Sequence, residues 1–434
     1  MPAENKNILA VNGGSSSIKF ALYGASGPVA RHETDEKLLS GKIERIGQDN
    51  ATLTYTSNRN LKTNSQELKT NSQELKSNSQ ELKTNSRELK TNGRDLKKEQ
   101  LPVKASDLSA AGLFLLDWLE KRGDVFPLAA VGHRVVHGGS RTEACAVDED
   151  LLKDLRQLTV YDPDHLPGEI ELMQLIRRQY PGLLQIACFD TAFHTTLPAV
   201  ARMLPIPRRY TRAGIRRYGF HGLSYAYIVT ELTRIAGPVV AMGPVIVAHL
   251  GSGASLAAIR DGISVDTTMG FTPAGGVVMG TRPGDLDPGV LWAIQDRERY
   301  SPEQLDHFIN HECGLLGVSE TSSDMQELLA LESSDVRAAE AVALFCYEVR
   351  KAIGALSAVL GGLDALVFTG GIGERSSIIR SRICAGLGYL GIGLDQRANA
   401  ADEVMLSSAD ARTRVYSIPT DEEWMIATIV KQVL

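Results

Sequence analysis

The sequence has few of the features that mark secreted or membrane proteins. Its five cysteines are widely spaced and odd in number, with no CxxC pair. This argues against a disulfide framework and against a zinc site of paired cysteines. No apolar run approaches the roughly 18 residues needed to span a bilayer, and the N-terminus lacks the basic-then-apolar layout of a signal peptide. We therefore expect a cytoplasmic protein.

Positive charge is in slight deficit. The chain of 434 residues carries 46 Lys and Arg against 52 Asp and Glu, a formal net charge of −6. Nucleic-acid-binding and membrane-surface proteins usually show a basic excess, so we expect neither kind of partner. Hydrophobic residues make up 43% and charged residues 23%, as in ordinary globular proteins. The length exceeds what one hydrophobic core usually supports, which favours two domains.

No Walker A motif is present, but two Gly/Ser turns suit a phosphate group. The first joins the apolar segments Ile8–Val11 and Ile18–Tyr23, and the second joins Val245–Leu250 and Ala254–Ile259. Each pattern is typical of a β-hairpin whose tip exposes backbone N–H groups with no bulky side chain in the way. Either tip alone could be an ordinary turn. Their repetition predicts a duplicated α/β unit with a ligand between the two halves.

The segment Asp266–Gly289 is rich in turn-forming residues. It holds six glycines, three prolines and three carboxylates, but a single basic residue, Arg282. Glycines let a backbone approach a ligand closely, and a lone guanidinium offers a fork of donors for phosphate or carboxylate. The alternative is a structural turn in which Arg282 pairs with Asp285 or Asp287.

Three further segments carry candidate site residues. The segment Gly132–Arg141, GHRVVHGGSR, contains Arg134 and could bind an anion, although its two histidines without a carboxylate are a weak metal signal. Asp190 follows the predicted strand Leu183–Phe189, where open α/β sheets place ligand groups, or else it caps the next helix. The predicted strand Ala365–Phe368 leads through a Gly-rich turn to a helix, an arrangement typical of a nucleotide site.

One stretch differs in composition from the rest. A heptad close to LKTNSQE recurs from Leu61 to about Lys98, with one leucine per repeat. A stable coiled coil needs two apolar seams, and Asn and Ser are poor residues inside a helix. We expect a solvent-exposed insertion, disordered or weakly helical, without a catalytic role.

Eight motifs together resemble the acetate/butyrate kinase family. In chain order they are NGGSSSIKF, GHRVVHGG, FDTAFH, RRYGFHG, HLGSGAS, MGFTPAGGVVMGTRPGDLDPG, FTGGIGERS and IPTDEEWMIA. They cover nearly the whole chain outside Leu61–Lys98 and follow the family's order. The family shares its fold with sugar kinases, actin and heat-shock chaperones. The resemblance therefore implies an α/β protein with a duplicated actin-like (ribonuclease H-like) two-domain fold and an active-site cleft between the domains.

The resemblance also implies domain limits, an activity and partners. An N-terminal actin-like domain would span residues 1–194, with the insertion 61–98, and would be completed by the C-terminal helix 423–434. The nucleotide-binding domain would span residues 195–422. The implied reaction is reversible, direct in-line transfer of the γ-phosphoryl group of ATP to acetate, which gives acetyl phosphate and ADP. Mg²⁺, or Mn²⁺ in its place, would assist, and a homodimer is expected.

By similarity, individual residues acquire roles in this reaction. The implied catalytic residues are Arg134, Asp190, His221 and Arg282. Acetate would contact Arg134, Val136, His165, Phe220 and Pro273. The nucleotide would contact Asn12, Lys19, His249, Leu250, Gly251, Ser252, Gly253, Asp324, Met325, Gln326, Gly370, Gly371, Ile372, Gly373 and Glu374. The implied metal ligands are Asn12, Asp190 and Glu422.

Four positions depart from the family's pattern: Gly13, Asp164, Ser252 and Gln326. Asp164 stands where an apolar residue normally lines the acyl pocket, which leaves the preferred acid open. Ser252 and Gln326 leave the nucleotide preference open. One alternative is a kinase for propionate or another short-chain carboxylate. Others are a nucleotide-dependent chaperone or filament protein of the same fold, and a catalytically weakened relative that binds through its repeat.

Overall fold

The structure is a computed structural model that describes residues 6–14, 16–25, 37–57, 87–91, 94–122 and 127–434. For residues 87–91 and 94–97 it describes the backbone alone. The chain divides into two units. The first comprises Met1–Phe189 and Glu422–Leu434, and the second comprises Asp190–Asp421. The domain limits expected from the resemblance placed Asp190 in the N-terminal domain and Glu422 in the nucleotide-binding domain. In the structure, Asp190 belongs to the second unit and Glu422 to the first.

In the described part of the first unit, nine strands form one sheet. They are β1 Asn7–Gly13, β2 Ser17–Gly24, β3 Lys37–Glu44, β4 Thr52–Ser57, β5 Arg87–Thr91, β6 Arg94–Pro102, β7 Leu128–Val135, β8 Cys145–Ala146 and β9 Leu184–Phe189. Their order across the sheet is β5-β6-β4-β3-β2-β1-β7-β9-β8. β1 pairs antiparallel with β2 and parallel with β7, so β1 lies in the interior of the sheet.

Helices cover both faces of this sheet. They are α1 Leu108–Glu120, α2 Glu149–Leu158, α3 Leu166–Gln179 and the C-terminal helix Glu422–Val433. Leu9 and Val11 of β1 share a buried core with Leu115 of α1 and Leu172 of α3. Successive residues of a strand point to opposite faces, and the C-terminal helix contacts the other face of β1 and β7. The unit is thus held by apolar residues on both sides of its central strands.

The end of the heptad repeat departs from the prediction. Residues 58–86 and 92–93 lie outside the described part, but residues 87–91 and 94–98 belong to strands β5 and β6, where disorder or a weak helix was expected. β6 pairs antiparallel with β4, from Ser57 opposite Lys97 to Thr52 opposite Pro102. An available sheet edge satisfies the backbone N–H and C=O groups of this segment, and that tertiary pairing overrides its weak local preference.

The described part of the second unit contains a five-stranded sheet. Its strands are β10 Val245–Leu250, β11 Ala254–Arg260, β12 Ile263–Thr267, β13 Ala365–Thr369 and β14 Arg414–Ser417. Their order is β12-β11-β10-β13-β14, with antiparallel pairs up to β10 and parallel pairs beyond it. The strands β3-β2-β1-β7-β9 repeat this order and these directions. The predicted duplication of an α/β unit is confirmed.

The second unit carries α-helices numbered α4 to α15. They are α4 Ala199–Arg202, α5 Arg208–Arg212, α6 Gly222–Ala236, α7 Pro238–Ala241, α8 Pro288–Glu298, α9 Pro302–His307, α10 Gly314–Ser319, α11 Met325–Leu331, α12 Val336–Leu360, α13 Gly370–Arg375, α14 Ser377–Cys384 and α15 Gln396–Ala400. The predicted helix α12 ends where Gly361 adopts φ 68°, as a left-handed C-cap requires. In the described part of the chain, no helix is long and apolar enough to cross a membrane.

The segment after β13 turns more sharply than predicted. The sequence suggested a Gly-rich turn before a helix near Ser377, whereas α13 begins at Gly370, directly after the strand. Thr369 is extended and Gly370 has φ 76°, so the change of direction takes one residue. Glycine adopts this φ without steric cost, and two short helices therefore replace the expected turn.

Candidate active site

The structure assigns the predicted site residues to both units. Those of the first unit are Asn12, Lys19, Arg134, Val136, His165 and Glu422. Those of the second unit are Asp190, Phe220, His221, His249, Leu250, Gly251, Ser252, Gly253, Pro273, Arg282, Asp324, Met325, Gln326, Gly370, Gly371, Ile372, Gly373 and Glu374. Each unit therefore carries one of the two predicted catalytic arginines.

Asn12, Arg134 and Glu422 form a polar cluster in the first unit. Asn12 Nδ2 donates to Glu422 Oε2 at 2.8 Å, and Arg134 Nη1 donates to Asn12 Oδ1 at 3.4 Å. Arg134 Nε lies 3.8 Å from Glu422 Oε2. Glu423, which the motifs did not single out, accepts a longer bond of 3.3 Å from Asn12. The cluster joins a cation to oxygen ligands, a combination that suits an anionic substrate and a divalent ion.

Strand pairing and the C-terminal helix bring this cluster together. Asn12 and Arg134 lie near the ends of the parallel neighbours β1 and β7. A Cβ at Gly132 of β7 would lie only 2.4 Å from Ile426 Cγ2 of the C-terminal helix. Because glycine stands there, the helix can pack directly on the sheet. Glu422, the first residue of that helix, thereby comes to lie beside Asn12.

Two predicted substrate contacts of the first unit are held by buried carboxylates. Asp162 Oδ1 lies 2.8 Å from His165 Nδ1 and accepts the backbone N–H of His165 at 3.1 Å. Glu169 Oε2 accepts the N–H of Val136 at 3.0 Å. Both carboxylates belong to the segment YDPDHLPGEI, but its local pattern gave no sign of these contacts. Asp164, one of the departures from the family pattern, is half-buried.

The two histidines of GHRVVHGG have structural surroundings. His133 is buried and lies 2.8 Å from the Gln185 amide, and burial lowers its pKa to about 4. His137 is fully buried, and its Nδ1 accepts the N–H of Gly139 at 3.0 Å. Among the described residues, no group of three or more His, Cys, Asp or Glu side chains is arranged to hold a metal ion. These contacts favour a packing role for both histidines.

His221 adopts a left-handed backbone conformation, with φ 60°, at the start of α6. Such a φ is uncommon outside glycine. The N–H of the next residue, Gly222, donates to the carbonyl of Asp190 at 3.0 Å, and a Cβ at Gly222 would lie 2.0 Å from that oxygen. Asp190 is fully buried. The close approach therefore requires glycine after His221 and fixes the backbone that carries the imidazole.

The imidazole of His221 and the guanidinium of Arg282 converge on the tip of the β10–β11 hairpin. His221 Nδ1 lies 2.8 Å from Ser255 Oγ, and the ring stacks on His249 with centroids 4.2 Å apart. The other ring nitrogen, Nε2, lies 3.5 Å from the point that a Cβ at Gly253 would occupy. Arg282 Nη1 lies 3.9 Å from the same point. Donors grouped around an open glycine tip suit a charged phosphoryl group.

A short helix anchors the loop that carries Arg282. The N–H of Met279 donates to the carbonyl of Arg282 at 3.0 Å, and the carbonyl of Met279 accepts the N–H of Leu315 of α10 at 2.9 Å. Gly314, which begins α10, has φ 63°, and a Cβ there would lie 2.3 Å from the Met279 oxygen. Both features require glycine. The loop that bears Arg282 is therefore held from behind by backbone contacts.

The carboxylates of the same loop bind its backbone. Asp285 Oδ1 accepts the N–H of Gly276 at 2.8 Å, and Asp287 Oδ1 accepts the N–H of Gly289 at 2.6 Å, which caps α8. These bonds shape the turns of Asp266–Gly289. The two carboxylates thus shape the turns through backbone N–H groups, which differs from the pairing with Arg282 that the structural interpretation expected of them, and the segment also brings Arg282 to Gly253.

The two predicted phosphate segments of the second unit are adjacent. β10 and β13 are parallel neighbours, and a Cβ at Gly370 would lie 2.7 Å from the carbonyl oxygen of Leu250. The nitrogen of Gly371 is 4.0 Å from the point that a Cβ at Gly251 would occupy. The glycines of the hairpin tip and of the start of α13 therefore lie close together, an arrangement that suits the binding of a phosphate chain.

Glu374 is turned toward the backbone of its own unit. Its Oε1 accepts the N–H groups of Gly370 and Thr420, each at 3.0 Å. Arg380, which is fully buried, donates to the carbonyls of Gly373 and Glu374 at 2.9 and 2.8 Å. These bonds fix the shape of α13. Neither Thr420 nor Arg380 was singled out from the sequence, since their partners lie elsewhere in the chain.

The other predicted nucleotide residues have varied surroundings. Asp324 caps α11, and its Oδ1 accepts the N–H of Gln326 at 2.8 Å. Met325 is buried, whereas Gln326 is exposed. Lys19 is exposed on β2, opposite Asn12 in the strand register. Their contacts with a nucleotide stay predictions.

The apolar residues predicted for the acyl pocket are shielded from solvent. Val136 and Phe220 are buried, and Pro273 is half-buried. Phe220 also offers its carbonyl to His194 Nε2 at 3.0 Å. Burial suits a wall of a small pocket as well as ordinary core packing, so these three assignments also stay predictions.

Comparison with known families tests the resemblance that the motifs carry. The model of the Acetokinase family matches residues 7–96 and 83–428. The chain belongs to the acetokinase family. The family resemblance seen in the eight motifs is confirmed.

Relatives and solved structures agree with this family. The acetate kinase of Rhodopseudomonas palustris is 40% identical over 424 residues, which cover 97% of this chain and 96% of that protein. The crystal structure of a propionate kinase from Francisella tularensis is 32% identical, with a TM-score of 0.80 over 98% of each chain. The structure of Porphyromonas gingivalis acetate kinase is 30% identical, with a TM-score of 0.78 over 99% of each chain. The expected actin-like α/β fold class is confirmed.

Proposed function

We propose that this chain is an acetate kinase, which reversibly transfers the γ-phosphoryl group of ATP to acetate and forms acetyl phosphate and ADP. Membership of the acetokinase family supports an ATP-dependent phosphotransferase with a carboxylate acceptor. The observation that carries the proposal for the site is the convergence of His221 Nε2 and Arg282 Nη1 on the Gly253 tip. These donors would stabilise the negative charge that spreads over the phosphoryl oxygens during transfer.

The proposed acceptor, a carboxylate, explains why the site needs no general base. A carboxylate is ionised at neutral pH, so no general base has to remove a proton from it, unlike the hydroxyl acceptor of a sugar kinase. Catalysis then rests on positioning and on electrostatic stabilisation. Arg134 would bind the carboxylate of acetate, and Arg282 the transferring phosphoryl group. Arg134 is held in place for that role by the hydrogen bond that it donates to Asn12 and by its ion-pair contact with Glu422.

Nucleotide binding is assigned to the backbone surface of the second unit. The tip Gly251–Gly253 and the start of α13 bring glycine backbone together, so that phosphate oxygens could approach it closely with no Cβ in the way. Glu374 would act indirectly, because its carboxylate holds the N–H groups of Gly370 and Thr420. Asp324, Met325 and Gln326 would lie toward the nucleoside.

Mg²⁺ is the proposed metal, with Asn12, Asp190 and Glu422 as its ligands and Mn²⁺ as a substitute. The residue types fit such an ion, because the Asn12 amide oxygen and the two carboxylates are hard oxygen ligands, and Asn12 lies beside Glu422, with its Nδ2 2.8 Å from Glu422 Oε2. Mg²⁺ is commonly held by one or two carboxylates with substrate phosphates and water, so a larger protein cluster is not required. When bound, the ion would neutralise charge on the phosphate oxygens.

For the preferred acid, we propose a small apolar pocket to which the family resemblance assigns Val136, Phe220 and Pro273. Such a pocket discriminates against one added methylene by only about 1–3 kcal/mol. Propionate is therefore the expected weaker substrate, and a preference for propionate is the second candidate, because half-buried Asp164 stands where the family has an apolar residue. A homodimer and a cytoplasmic location remain part of the proposal.

The test is a hydroxamate assay that detects acyl phosphate formed from formate, acetate, propionate or butyrate with ATP and Mg²⁺. We expect the highest kcat/KM with acetate. A higher value with propionate would favour the second candidate. Formation of no acyl phosphate from any of the four acids would contradict the proposed function.

A further inference from the structure

Two buried hydroxyl groups stand behind His221, on the side away from the Gly253 tip. Ser255 Oγ of β11 lies 2.8 Å from His221 Nδ1, and the hydroxyl of Tyr225 forms a hydrogen bond with the same oxygen. Ser255 and Tyr225 are both fully shielded from solvent. Tyr225 lies one turn after His221 in α6, and its N–H donates to the carbonyl of His221 at 3.0 Å. Helix geometry therefore fixes the tyrosine relative to the histidine.

The direction of these hydrogen bonds follows from counting protons. Burial raises the pKa of Tyr225, so its hydroxyl keeps its proton at neutral pH. Within the described part of the chain, its hydrogen-bond partner is Ser255 Oγ. A buried hydroxyl normally donates its proton to an acceptor, so Tyr225 donates to Ser255. Ser255 then directs its own single proton to the remaining partner, His221 Nδ1.

This direction determines the tautomer of the imidazole. A neutral histidine carries one proton, and the nitrogen that accepts a hydrogen bond cannot carry it. With Nδ1 as acceptor, the proton sits on Nε2. Nε2 is the nitrogen that lies 3.5 Å from the open point beside Gly253, to which Arg282 also points.

We propose that Tyr225 and Ser255 are positioning residues that hold neutral His221 as its Nε2–H tautomer, so that it donates a hydrogen bond to the phosphoryl group at the Gly253 tip. The proposal rests on the proposed function for the identity of that group. It explains how the imidazole serves as a donor without having to be protonated first. The opposite tautomer would present a lone pair to the phosphoryl oxygens and repel them.

The first measurement is the nitrogen-15 NMR spectrum of histidine-labelled protein at neutral pH without substrate. The His221 resonances are identified as those missing from the H221Q variant. We expect an unprotonated, hydrogen-bonded Nδ1 and a protonated Nε2. A proton on Nδ1 in the unmodified protein would overturn the proposal. This measurement requires no turnover, so it stands or fails separately from the acyl phosphate assay.

The second measurement is steady-state kinetics of Ser255→Ala, with Ser255→Thr as the variant that retains a hydroxyl. We expect kcat of Ser255→Ala to fall by about tenfold to a hundredfold, as when an outer hydrogen-bond partner of a functional histidine is removed. KM for acetate and for ATP should change by less than about twofold, because ground-state binding is untouched. Ser255→Thr should recover most of kcat.

Tyr225→Phe is the second variant, since it removes one oxygen and keeps the ring. We expect a smaller loss of kcat, together with a mixture of His221 tautomers, because Ser255 can then rotate. If Ser255→Ala does not fold, Tyr225→Phe tests the proposed positioning of His221 in its place. A single Nε2–H tautomer and an unchanged kcat in Tyr225→Phe would overturn the role of the tyrosine.

Discussion

The two units place different chemistry at the same position of one strand arrangement. In the first unit, the end of β1 carries Asn12, and its parallel neighbour β7 carries Arg134, so side chains supply charge there. In the second unit, the end of β10 leads into a glycine tip, and its parallel neighbour β13 ends at Gly370. There the strand ends are followed by glycines, and the charged or polar groups near Gly253, His221 and Arg282, belong to segments outside the sheet.

The difference shows that two copies of one strand arrangement can present different chemical groups. A glycine-rich hairpin tip lets phosphates approach its backbone closely, which suits a nucleotide. A strand end with an arginine, an amide and a carboxylate suits a small acid and a divalent ion. The strand order is shared by both units, so the specialisation lies in a few residues at the strand ends.

The largest expected effect tests the cation at the second tip. Arg282→Ala should lower turnover by about a thousandfold or more, because the guanidinium stabilises charge on the transferring phosphoryl group. The matched control is Arg297→Ala, whose side chain is 85% exposed. Circular dichroism of Arg282→Ala should show an intact fold. Unchanged acyl phosphate formation in Arg282→Ala would refute the assignment of this arginine.

The second prediction compares the two tips directly. Gly253→Ala places a methyl group 3.5 Å from His221 Nε2 and 3.9 Å from Arg282 Nη1, in ordinary contact with both. It should fold normally and lower kcat by about a hundredfold, since the methyl group occupies the place of an oxygen that receives their hydrogen bonds.

The control for this change lies in the first unit. Among the described residues, the atoms within 4 Å of a Cβ at Gly13 would belong to Leu172 and Leu108, at 3.8 and 3.9 Å. Gly13→Ala should therefore leave kcat within about twofold, as expected of a substitution away from the reacting atoms. Equal losses of kcat in Gly253→Ala and Gly13→Ala would contradict the proposed difference between the two hairpin tips.

The third prediction concerns Glu422, a proposed metal ligand that belongs to the first unit. Glu422→Gln keeps the size of the side chain but removes its charge, so the Mg²⁺ concentration for half-maximal activity should rise by about tenfold. Activity measured across a Mg²⁺ titration checks this. Glu423→Gln is the control, because its bond to Asn12 is longer, at 3.3 Å. The same Mg²⁺ requirement in both variants would remove Glu422 from the metal site.

The smallest effect concerns stability and applies to both units. His133 in the first unit and His194 in the second are fully buried, and burial lowers each pKa from 6.5 to about 4. The unfolded chain therefore binds more protons between these values, and the free energy of unfolding falls as pH drops from 6.5 toward about 4. Each histidine should account for up to about 3 kcal/mol.

Chemical denaturation across this pH range measures the effect. His133→Gln and His194→Gln should each show a shallower decline of the unfolding free energy on acidification, because glutamine does not titrate there. A decline as steep as that of the unmodified protein would show that the corresponding histidine is already charged in the folded state.

Much of the fold was predictable because its signals are local. The apolar runs of β1, β10 and β13 and the glycines that follow them are visible in the sequence, as is α12, which ends at a glycine. The repeat after Leu61 was also visible, but its final residues join the sheet through β4. A heptad without apolar seams gives no local indication of a partner strand, so that prediction failed.

The site was predictable in its residue types and not in its contacts. Arg134, His221 and Arg282 came from motifs. The bond between Asn12 and Glu422, by contrast, joins opposite ends of the chain. No local spacing reveals such a contact, because it depends on Gly132 admitting the C-terminal helix to the sheet.

By itself, the sequence determined the family, the duplicated strand pattern, and the positions where the chain lacks a Cβ or makes a turn. Those features depend on the residue type, since only glycine lacks a Cβ and tolerates a positive φ. The tertiary structure decided which atoms face the reacting group. It turned the Glu374 carboxylate to the backbone and set Ser255 and Tyr225 behind His221. Orientation of a side chain is fixed by its packed neighbours, and these come from distant parts of the chain.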